Sequence, residues 1–506
     1  MIPRLPHARE RAAMLEQLAG TSVDVLVVGG GITGAGVALD AASRGLSVAL
    51  VEAEDLAFGT SRFSSKLVHG GLRYLATGDV ATARESAQER HLLMTRIAPH
   101  LIRPMAQLLP FAPAVTAAQR ITSTIGFAMG DLLRMHAGTP HAVLPAPRSI
   151  RAQTALAMVP TLDPTSLRGA ALAADGQLVD DARLVIAVAR TAAAYGARIL
   201  TRVRALALGR RGAVVEDALT GERFELDARA VVNATGVWAG TLDDTIRMRP
   251  SRGTHIVLDA ATLGDPTAAL TVPHPGSISR FVFALPQQLG RVVVGLTDED
   301  SPGPIPDVTA PTEPEIRFLL DTLNRVLRTP IRRDQVRGAY AGLRPLVGTD
   351  HASTADISRR HLVAVSEGGF VNVLGGKLTT YRRMAEDAVD RTIAFAGLSA
   401  GPTRTAALPL VGAIAAPTKP ARALDWRYGA EAGRVLAQAR CADPLQPIAD
   451  GIDVTRAEIE FAVRAEGAMT VDDVLDRRTR IGLVDDDRRR AHDVVAALVA
   501  ETLAEL

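Results

Sequence analysis

Val25, Leu26, Val27 and Val28 form an unbroken apolar run that opens directly into Gly29-Gly30-Gly31-Ile32-Thr33-Gly34, and helix-favouring residues follow from Gly34 to Arg44. A continuous apolar run suits a strand covered on both faces, as in a parallel sheet. Ser47 to Val51 supplies the second parallel strand. In the spacing G-x-G-x-x-G, Gly29 permits the tight turn, Gly31 lets backbone amides approach a pyrophosphate, and Gly34 permits close helix–strand packing. The helix N-terminus adds partial positive charge and free N–H groups. Glu52 closes the second strand 18 residues after Gly34, where a carboxylate accepts a hydrogen bond from an adenosine ribose. This register predicts a dinucleotide site built on Gly29, Gly30, Gly31, Ile32, Thr33, Gly34, Glu52 and Ala53. The plainer alternative is a glycine-rich turn with no ligand.

The fingerprint alone does not separate NAD from FAD. Far along the chain, "VVNATGVWAG" (231–240) is a second buried strand ending in Ala234-Thr235-Gly236. FAD-binding oxidoreductases commonly return such a strand to the pyrophosphate region. A third glycine turn, "LGGKLTTY", precedes another helix, whose N-terminus can sit near an isoalloxazine and stabilise reduced-flavin charge. Gly376, Leu378, Thr379 and, in the strand region after 197, Val203 complete the cofactor set. One site drawn from the front, middle and back of the chain favours FAD, held without a covalent link.

A chain of 506 residues with 47% apolar and 22% charged residues has the composition of a globular protein of two to four domains at ~100–200 residues each. A net charge of +2 argues against nucleic acid as partner. One cysteine, Cys441, permits no internal disulfide and fits a reducing compartment. The N-terminal stretch lacks an apolar core like that of a secretory signal, and no apolar run approaches the ~20 residues of a membrane span. Peripheral membrane contact is left open. No His/Asp/Glu spacing suggests a metal site.

Elsewhere the pattern predicts a short helix at 5–20 and a helix at 79–98 with its Arg and Glu facing out. An amphipathic helix at 117–136 is assigned to core packing, with a membrane-facing role as the alternative. Helices follow near 182–195 and 315–328, strands from 197 onward, and a hairpin at 280–298. Residues 415–421 read as a linker, and 422–506 as almost wholly helical.

The stretches "GTSRFSSKLVHGGLRYL", "DDARLV", "VVNATGVWAG", "RGTHIV", "YAGLRPL" and "GGKLTTYR" stand in the order found in the FAD-dependent glycerol-3-phosphate dehydrogenases of the D-amino-acid-oxidase-like superfamily, which the chain resembles over roughly 22–395. The C-terminal stretch resembles that family's helical domain. The resemblance implies an α/β (α+β) fold: a Rossmann-like FAD-binding domain, an antiparallel-sheet substrate (cap) domain and an α-helical C-terminal domain. The expected division is an N-terminal helical extension at 1–21 and an oxidoreductase region at 22–395. FAD segments at 22–80, 180–240 and 335–395 alternate there with cap segments at 81–179 and 241–334. A linker at 396–421 and the helical domain at 422–506 follow. The implied activity is oxidation of sn-glycerol 3-phosphate to dihydroxyacetone phosphate, with electrons passed to a quinone. The implied location is the cytoplasm, peripheral at the inner face of the cell membrane. A homodimer is left open.

A phosphate dianion calls for several convergent cations, and arginine donates two parallel hydrogen bonds to it. By resemblance, Arg73, Tyr74, Arg344, Arg359 and Lys377 belong to the substrate pocket. Alcohol oxidation also needs a group to take the hydroxyl proton, a task suited to histidine. His255 matches the family's pocket histidine as base or hydroxyl orienter, while His69 is placed against the flavin. Arg344 stays protonated and is assigned to stabilising the developing oxygen charge. Ser61, Ser64, Ser65 and Lys66 are expected to contact cofactor or order the loop. Gly70 and Gly71 are expected to let the backbone pass the isoalloxazine. The "DRRTR" run at 476–480 is read as a solvated or salt-bridged face. Alternatives left open are an oxygen-using glycerol-3-phosphate oxidase, an amino-acid or amine oxidase of the same superfamily, and a non-enzymatic FAD-binding protein.

Overall fold

The computed structural model describes residues 3–71, 74, 78–346, 361–413 and 422–506. The strand Val23–Val28 lies inside a sheet of order His361–Val365, Val371–Gly375, Arg223–Asn233, Val23–Val28, Val48–Glu52, Arg198–Thr201. It pairs in parallel with two neighbours, Val25 opposite both Ala230 and Val48. Its alternate side chains enter two cores. Val25 and Val27 pack with the helices Ile32–Ser43, Asp181–Ala194 and Tyr381–Ala396. Leu26 and Val28 pack with Leu15 and Leu18 of the Ala8–Ala19 helix and with Val215. Burial on both faces is what the unbroken apolar run dictates. The strand ends at the glycine turn, so the turn lies at the carboxyl edge of the sheet, where open α/β sheets bind ligands.

A second sheet of ten strands, largely antiparallel, forms the cap. Its spine is Ile102–Pro110 beside Ala170–Leu178, and Ser251–Asp259 beside Arg291–Gly295. Leu108, Leu172, Ile256, Leu258 and Val294 of this sheet pack with Leu319 and Leu323 of the helix Glu313–Asn324. The hairpin expected at 280–298 forms as Phe281–Gln287 and Arg291–Gly295.

Two segments differ from the expected division. The strand Val336–Arg344, expected in the FAD region, runs antiparallel along Ser251–Asp259 from Arg344 opposite Ser251 to Val336 opposite Leu258. Leu67–Val68 likewise pairs with the cap strand Ala170–Leu178. The chain therefore crosses between sheets inside both site segments, so the strand Val336–Arg344 carries Arg344 on the cap sheet while the turn after Val371–Gly375 carries Lys377 on the dinucleotide fold.

Three further expectations are corrected. In the helix Val80–Leu92, Glu89 and Arg90 are buried rather than outward-facing. Arg382 pairs with Glu89, and Arg90 with Asp175. The helix Ala117–His136 does not bury its apolar stripe in the core: Ile121, Ile125, Met129, Leu132 and Met135 all face solvent. The C-terminal domain is mainly helical around a core including Ile459, Val463, Val495 and Leu498, and it also holds a two-stranded hairpin, Pro447–Ala449 with Ile452–Thr455. The linker at 415–421 lies outside the described residues.

The "DRRTR" run is salt-bridged but buried. Arg477 and Arg478 both reach Asp55, at 2.6 and 2.8 Å. Arg183 pairs with Glu466 at 2.6 Å and Arg190 with Glu431 at 2.7 Å. Two charges sealed from water hold only while paired, and removing one partner of such a pair costs ~3–5 kcal/mol. These contacts therefore fix how the C-terminal domain seats on the dinucleotide fold.

Candidate active site

The glycine turn makes a cradle. Gly29 has φ +110°, and a Cβ there would stand 2.6 Å from the Ala234 carbonyl oxygen; a Cβ on Gly34 would overlap the Gly29 carbonyl. Gly31 is the N-cap of Ile32–Ser43 and offers no side-chain cap. A helix leaves its first N–H groups without intrahelical partners, and the one from Ile32 donates to Ser61 Oγ at 2.9 Å. Gly30 donates its N–H to Glu52 Oε2 at 2.5 Å, and Glu54 N–H donates to Oε1 at 2.9 Å. Both fix the carboxylate beside the turn.

One cavity of about 960 Å³ runs from this cradle into the cap, at the upper end of the ~300–1,000 Å³ range of small-molecule sites. On the dinucleotide side it is lined by Gly29, Gly31, Ile32, Thr33, Glu52 and Ala53, then by Val203, Ala234, Thr235 and Gly236, and by Gly376, Lys377, Leu378 and Thr379. Ser61, Ser64, Ser65, His69 and Tyr74 line its middle, and His255 and Arg344 enter from the cap sheet. Gly30 and Gly34 do not line it; they shape the turn from behind.

His255 is buried on the strand Ser251–Asp259. Its Nε2 lies 2.8 Å from Ser65 Oγ, and its ring stacks on Tyr340 with centroids 4.8 Å apart and planes 13° from parallel. Burial, followed by the nearby Lys66 and Arg344 cations, pushes its pKa down to about 3. The imidazole is therefore neutral near pH 7 and has a lone pair able to take a proton.

Arg344 ends the neighbouring strand. Its Nη1 donates to Asp298 Oδ1 at 2.8 Å and to Ser251 Oγ at 3.1 Å, and its Nη2 donates to the Thr297 carbonyl at 3.1 Å. A Cβ on Gly253 would stand 2.6 Å from Nη2, so the small residue in "SRGTH" leaves room for the guanidinium. Lys377 Nζ donates to Ser86 Oγ at 2.8 Å and lies 3.7 Å from the centre of the Tyr74 ring. His69 also stacks on Tyr74, with ring centres 6.5 Å apart.

Of its two expected roles Lys66 takes the ordering of the loop, and two further expected cofactor contacts, Gly70 and Gly71, do not line the cavity. Lys66 is buried away from the cavity, with Nζ 3.2 Å from Asp181 Oδ2. Gly70 does not face the cavity; a Cβ there would overlap the Arg90 guanidinium, and its N–H donates to Asp175 at 3.1 Å. Gly71, at φ +78°, would press a Cβ to 3.1 Å from Ala83 and Ser86. The paired glycines therefore admit the close approach of the helix Val80–Leu92. Arg73 and Arg359 lie outside the described residues.

Several contributors were not singled out in the sequence. Asp298, Thr297 and Ser251 hold Arg344, Tyr340 backs His255, and Asp181 receives Ser64 and Lys66. Asp181 and Tyr340 sit inside the quoted stretches "DDARLV" and "YAGLRPL", which was the available signal. Asp298 follows an ordinary strand and carried none.

The turn, the returning Ala-Thr-Gly strand and the roofing cap sheet define a flavin-dependent oxidoreductase. Residues 24–382 match the family model described as FAD dependent oxidoreductase, and 373–504 match the C-terminal domain of alpha-glycerophosphate oxidase. The chain is 56% identical to glycerol-3-phosphate dehydrogenase 1 of Mycobacterium tuberculosis over 99% of each chain. It is 35% identical to the mitochondrial glycerol-3-phosphate dehydrogenase of Bos taurus, covering 96% of this chain and 70% of that one. Among solved structures, the glycerol-3-phosphate dehydrogenase of Bacillus halodurans complexed with FAD superposes with a TM-score of 0.76 at 26% identity, over 98% of this chain and 94% of that one. The chain belongs to the FAD-dependent glycerol-3-phosphate dehydrogenase family.

The residues fit FAD as cofactor. A Cβ at Gly29 would meet the Ala234 carbonyl and one at Gly34 the Gly29 carbonyl, so glycine at both keeps the turn tight enough to form the cradle. The uncapped helix start suits a pyrophosphate, and Glu52, held by the Gly30 N–H at the cavity wall, suits a ribose hydroxyl.

Proposed function

We propose that the protein oxidises sn-glycerol 3-phosphate to dihydroxyacetone phosphate, with His255, Arg344 and Lys377 acting on substrate. The observation that carries this reading is a neutral buried imidazole and two cations lining the same cavity as the dinucleotide cradle. Bound FAD supplies the two-electron oxidant that takes hydride from C2. His255 Nε2 receives the hydroxyl proton, and the Ser65 hydroxyl beside it orients the ring. A bound phosphate dianion raises the proton affinity of a buried imidazole, because opposite charge favours the cation. Arg344 cannot act as base, since guanidinium stays protonated; it steadies the oxygen as negative charge develops. Lys377 and Tyr74 meet the phosphate, with Arg73 and Arg359 assigned to the same task.

Electrons pass to a quinone at a membrane surface. Support comes from the helix Ala117–His136. Its inner residues Ser123, Gly126 and Phe127 line the cavity beside Phe281, Phe283 and Phe318, while its outer face exposes the apolar stripe. No described helix is long and apolar enough to cross a bilayer, so contact is peripheral. A second copy of the chain is the competing partner for that stripe.

Anaerobic mixing with sn-glycerol 3-phosphate tests the reaction: the flavin absorbance bleaches at a rate that saturates with substrate. Bleaching by a D-amino acid and not by the phosphate ester would overturn the reading. Stoichiometric hydrogen peroxide during aerobic turnover without quinone would reassign the acceptor to oxygen.

A further inference from the structure

One buried charge cluster has no role in the chemistry above. Arg480 belongs to the C-terminal domain, yet its guanidinium does not join Arg477 and Arg478 on Asp55. Its backbone is left-handed, φ +64°, a conformation that is unfavourable for a side-chain-bearing residue. The side chain is buried, with Nε 3.3 Å from Asp180 Oδ2 and 3.8 Å from Asp181 Oδ1. Its Nη2 donates to the Arg62 carbonyl. Arg480 thus grips both the start of the 62–66 segment and the carboxylate that holds the rest of it.

Asp181 accepts from Ser64 N–H at 3.0 Å, from Ser64 Oγ at 2.7 Å and from Lys66 Nζ at 3.2 Å. The Ser64 carbonyl accepts from the Tyr340 hydroxyl at 3.0 Å, and Tyr340 stacks on His255. Ser65, between the two held residues, touches His255 Nε2. Lys66 Nζ lies 5.1 Å from the Tyr340 ring centre. Contacts therefore run without a gap from residue 480 to the imidazole, along both sides of one short turn.

We infer that Arg480 is a positioning residue of the active site, which holds, through Asp181 and the Arg62 carbonyl, the turn that sets Ser65 against His255. The C-terminal domain then completes the catalytic geometry rather than merely capping the fold. The inference rests on His255 acting on the substrate hydroxyl.

Charge makes it separable from a structural role. Lys66 and Arg480 balance Asp180 and Asp181 within the cluster. His255 also faces the Arg344 cation and the neutral Tyr340, and Arg480 lies near Arg62, which pairs with Asp476. Arg480→Gln leaves the cluster one charge more negative and so favours protonated His255. Asp181→Asn leaves it one charge more positive and has the opposite effect.

The test uses purified holoenzyme and stopped-flow reduction by saturating sn-glycerol 3-phosphate across pH, with FAD content read from the visible spectrum. Both variants are expected to retain FAD. The acid limb of the limiting reduction rate moves upward in Arg480→Gln and downward in Asp181→Asn, each by on the order of half a pH unit. Arg480→Lys keeps the charge and leaves the limb at the wild-type position. Unshifted limbs in both charge-changing variants, whatever the loss of rate or thermal stability, would overturn the inference. If Arg480→Gln does not fold, Asp181→Asn, which keeps the volume of the side chain, decides alone: a limb that stays in place refutes it. Wild-type enzyme that sn-glycerol 3-phosphate does not bleach would instead refute the functional reading.

Discussion

Arg344 and Asp298 form an ion pair on the wall of the cavity, with Nη1 2.8 Å from Oδ1. Asp298 also accepts from Ser251 Oγ at 2.6 Å, so the carboxylate fixes the guanidinium on the cavity wall that both residues line. The pair explains how a cation strong enough to bind developing oxygen charge is kept in one orientation before substrate arrives. Pre-orientation of this kind lets a charged group act without reorganising at the moment of reaction.

Arg344→Lys keeps the charge but loses the planar fork that bonds Asp298, Ser251 and the Thr297 carbonyl together. Hydrogen bonds to charged groups contribute ~1.5–3 kcal/mol each, so kcat/KM for sn-glycerol 3-phosphate should fall roughly 10- to 100-fold. FAD content should stay at the wild-type level. Steady-state kinetics beside the visible spectrum check both; a variant as active as wild type removes Arg344 from the chemistry.

His255→Asn preserves a polar group near Ser65 and removes the proton acceptor. General-base loss costs ~10²–10⁴ in rate. The limiting rate of anaerobic flavin reduction should drop by that factor with little change in substrate affinity. A rate within threefold of wild type would move the role to another group, with His69 on the same cavity the first to examine.

Although the Ala234 carbonyl that crowds Gly29 comes from far along the chain, the glycine turn was legible in the sequence because strand, turn and helix lie within one stretch. The partners of the active groups were not. Asp298 meets Arg344 across 46 positions of sequence, Asp181 meets Ser64 across 117, and Arg480 reaches Arg62 across 418. No periodicity records such pairings. The helix Ala117–His136 shows the other limit. Its amphipathic spacing is visible, but spacing does not say which face a neighbour covers. The Gly70-Gly71 pair stands out in the sequence, but what a Cβ at either position would meet, the later helix Val80–Leu92, does not.

Gly70→Ala places a methyl group into the Arg90 guanidinium, which is held on Asp175 at 2.7 Å. Overpacking a closed site costs ~1–3 kcal/mol. The thermal transition of the apoprotein should fall accordingly, and that of the holoenzyme by a similar amount. A variant of unchanged apoprotein stability that binds FAD weakly would return this glycine to the flavin.

Acid should weaken the fold in two stages. His100, pushed down to about 4 by burial and then by Arg183, and His255, pushed down to about 3, are neutral in the folded chain. Unfolding lets each take a proton near pH 6.5, so stability is full above that pH and declines as pH falls toward 4 and 3. For His100 the span corresponds to about 3 kcal/mol. Asp55, held down to about 2 by Arg478 and Arg477 against its burial, contributes above its unfolded value near 3.8 and loses that contribution as pH falls through 2. Urea unfolding of the apoprotein at successive pH values should therefore slope from about pH 6.5 downward. His100→Gln should flatten the upper part of that slope and leave the part below pH 4 unchanged.

The exposed stripe on Ala117–His136 makes the membrane proposal testable apart from the chemistry. Ile121, Ile125, Met129, Leu132 and Met135 recur at helical spacing, and Leu132 is 61% exposed. Burying such side chains in an interface yields ~1.5–3 kcal/mol apiece, whereas a carboxylate there opposes it. Ile125→Glu with Leu132→Glu should abolish flotation with phospholipid vesicles and leave anaerobic flavin reduction by sn-glycerol 3-phosphate at the wild-type rate, because neither residue lines the cavity. Turnover with a long-chain quinone in vesicles should fall, while turnover with a water-soluble artificial acceptor should hold. If the double variant floats like wild type, another surface docks. If it instead changes sedimentation from a larger species to a single chain, the stripe joins two copies of the protein, and the membrane reading of this helix is lost.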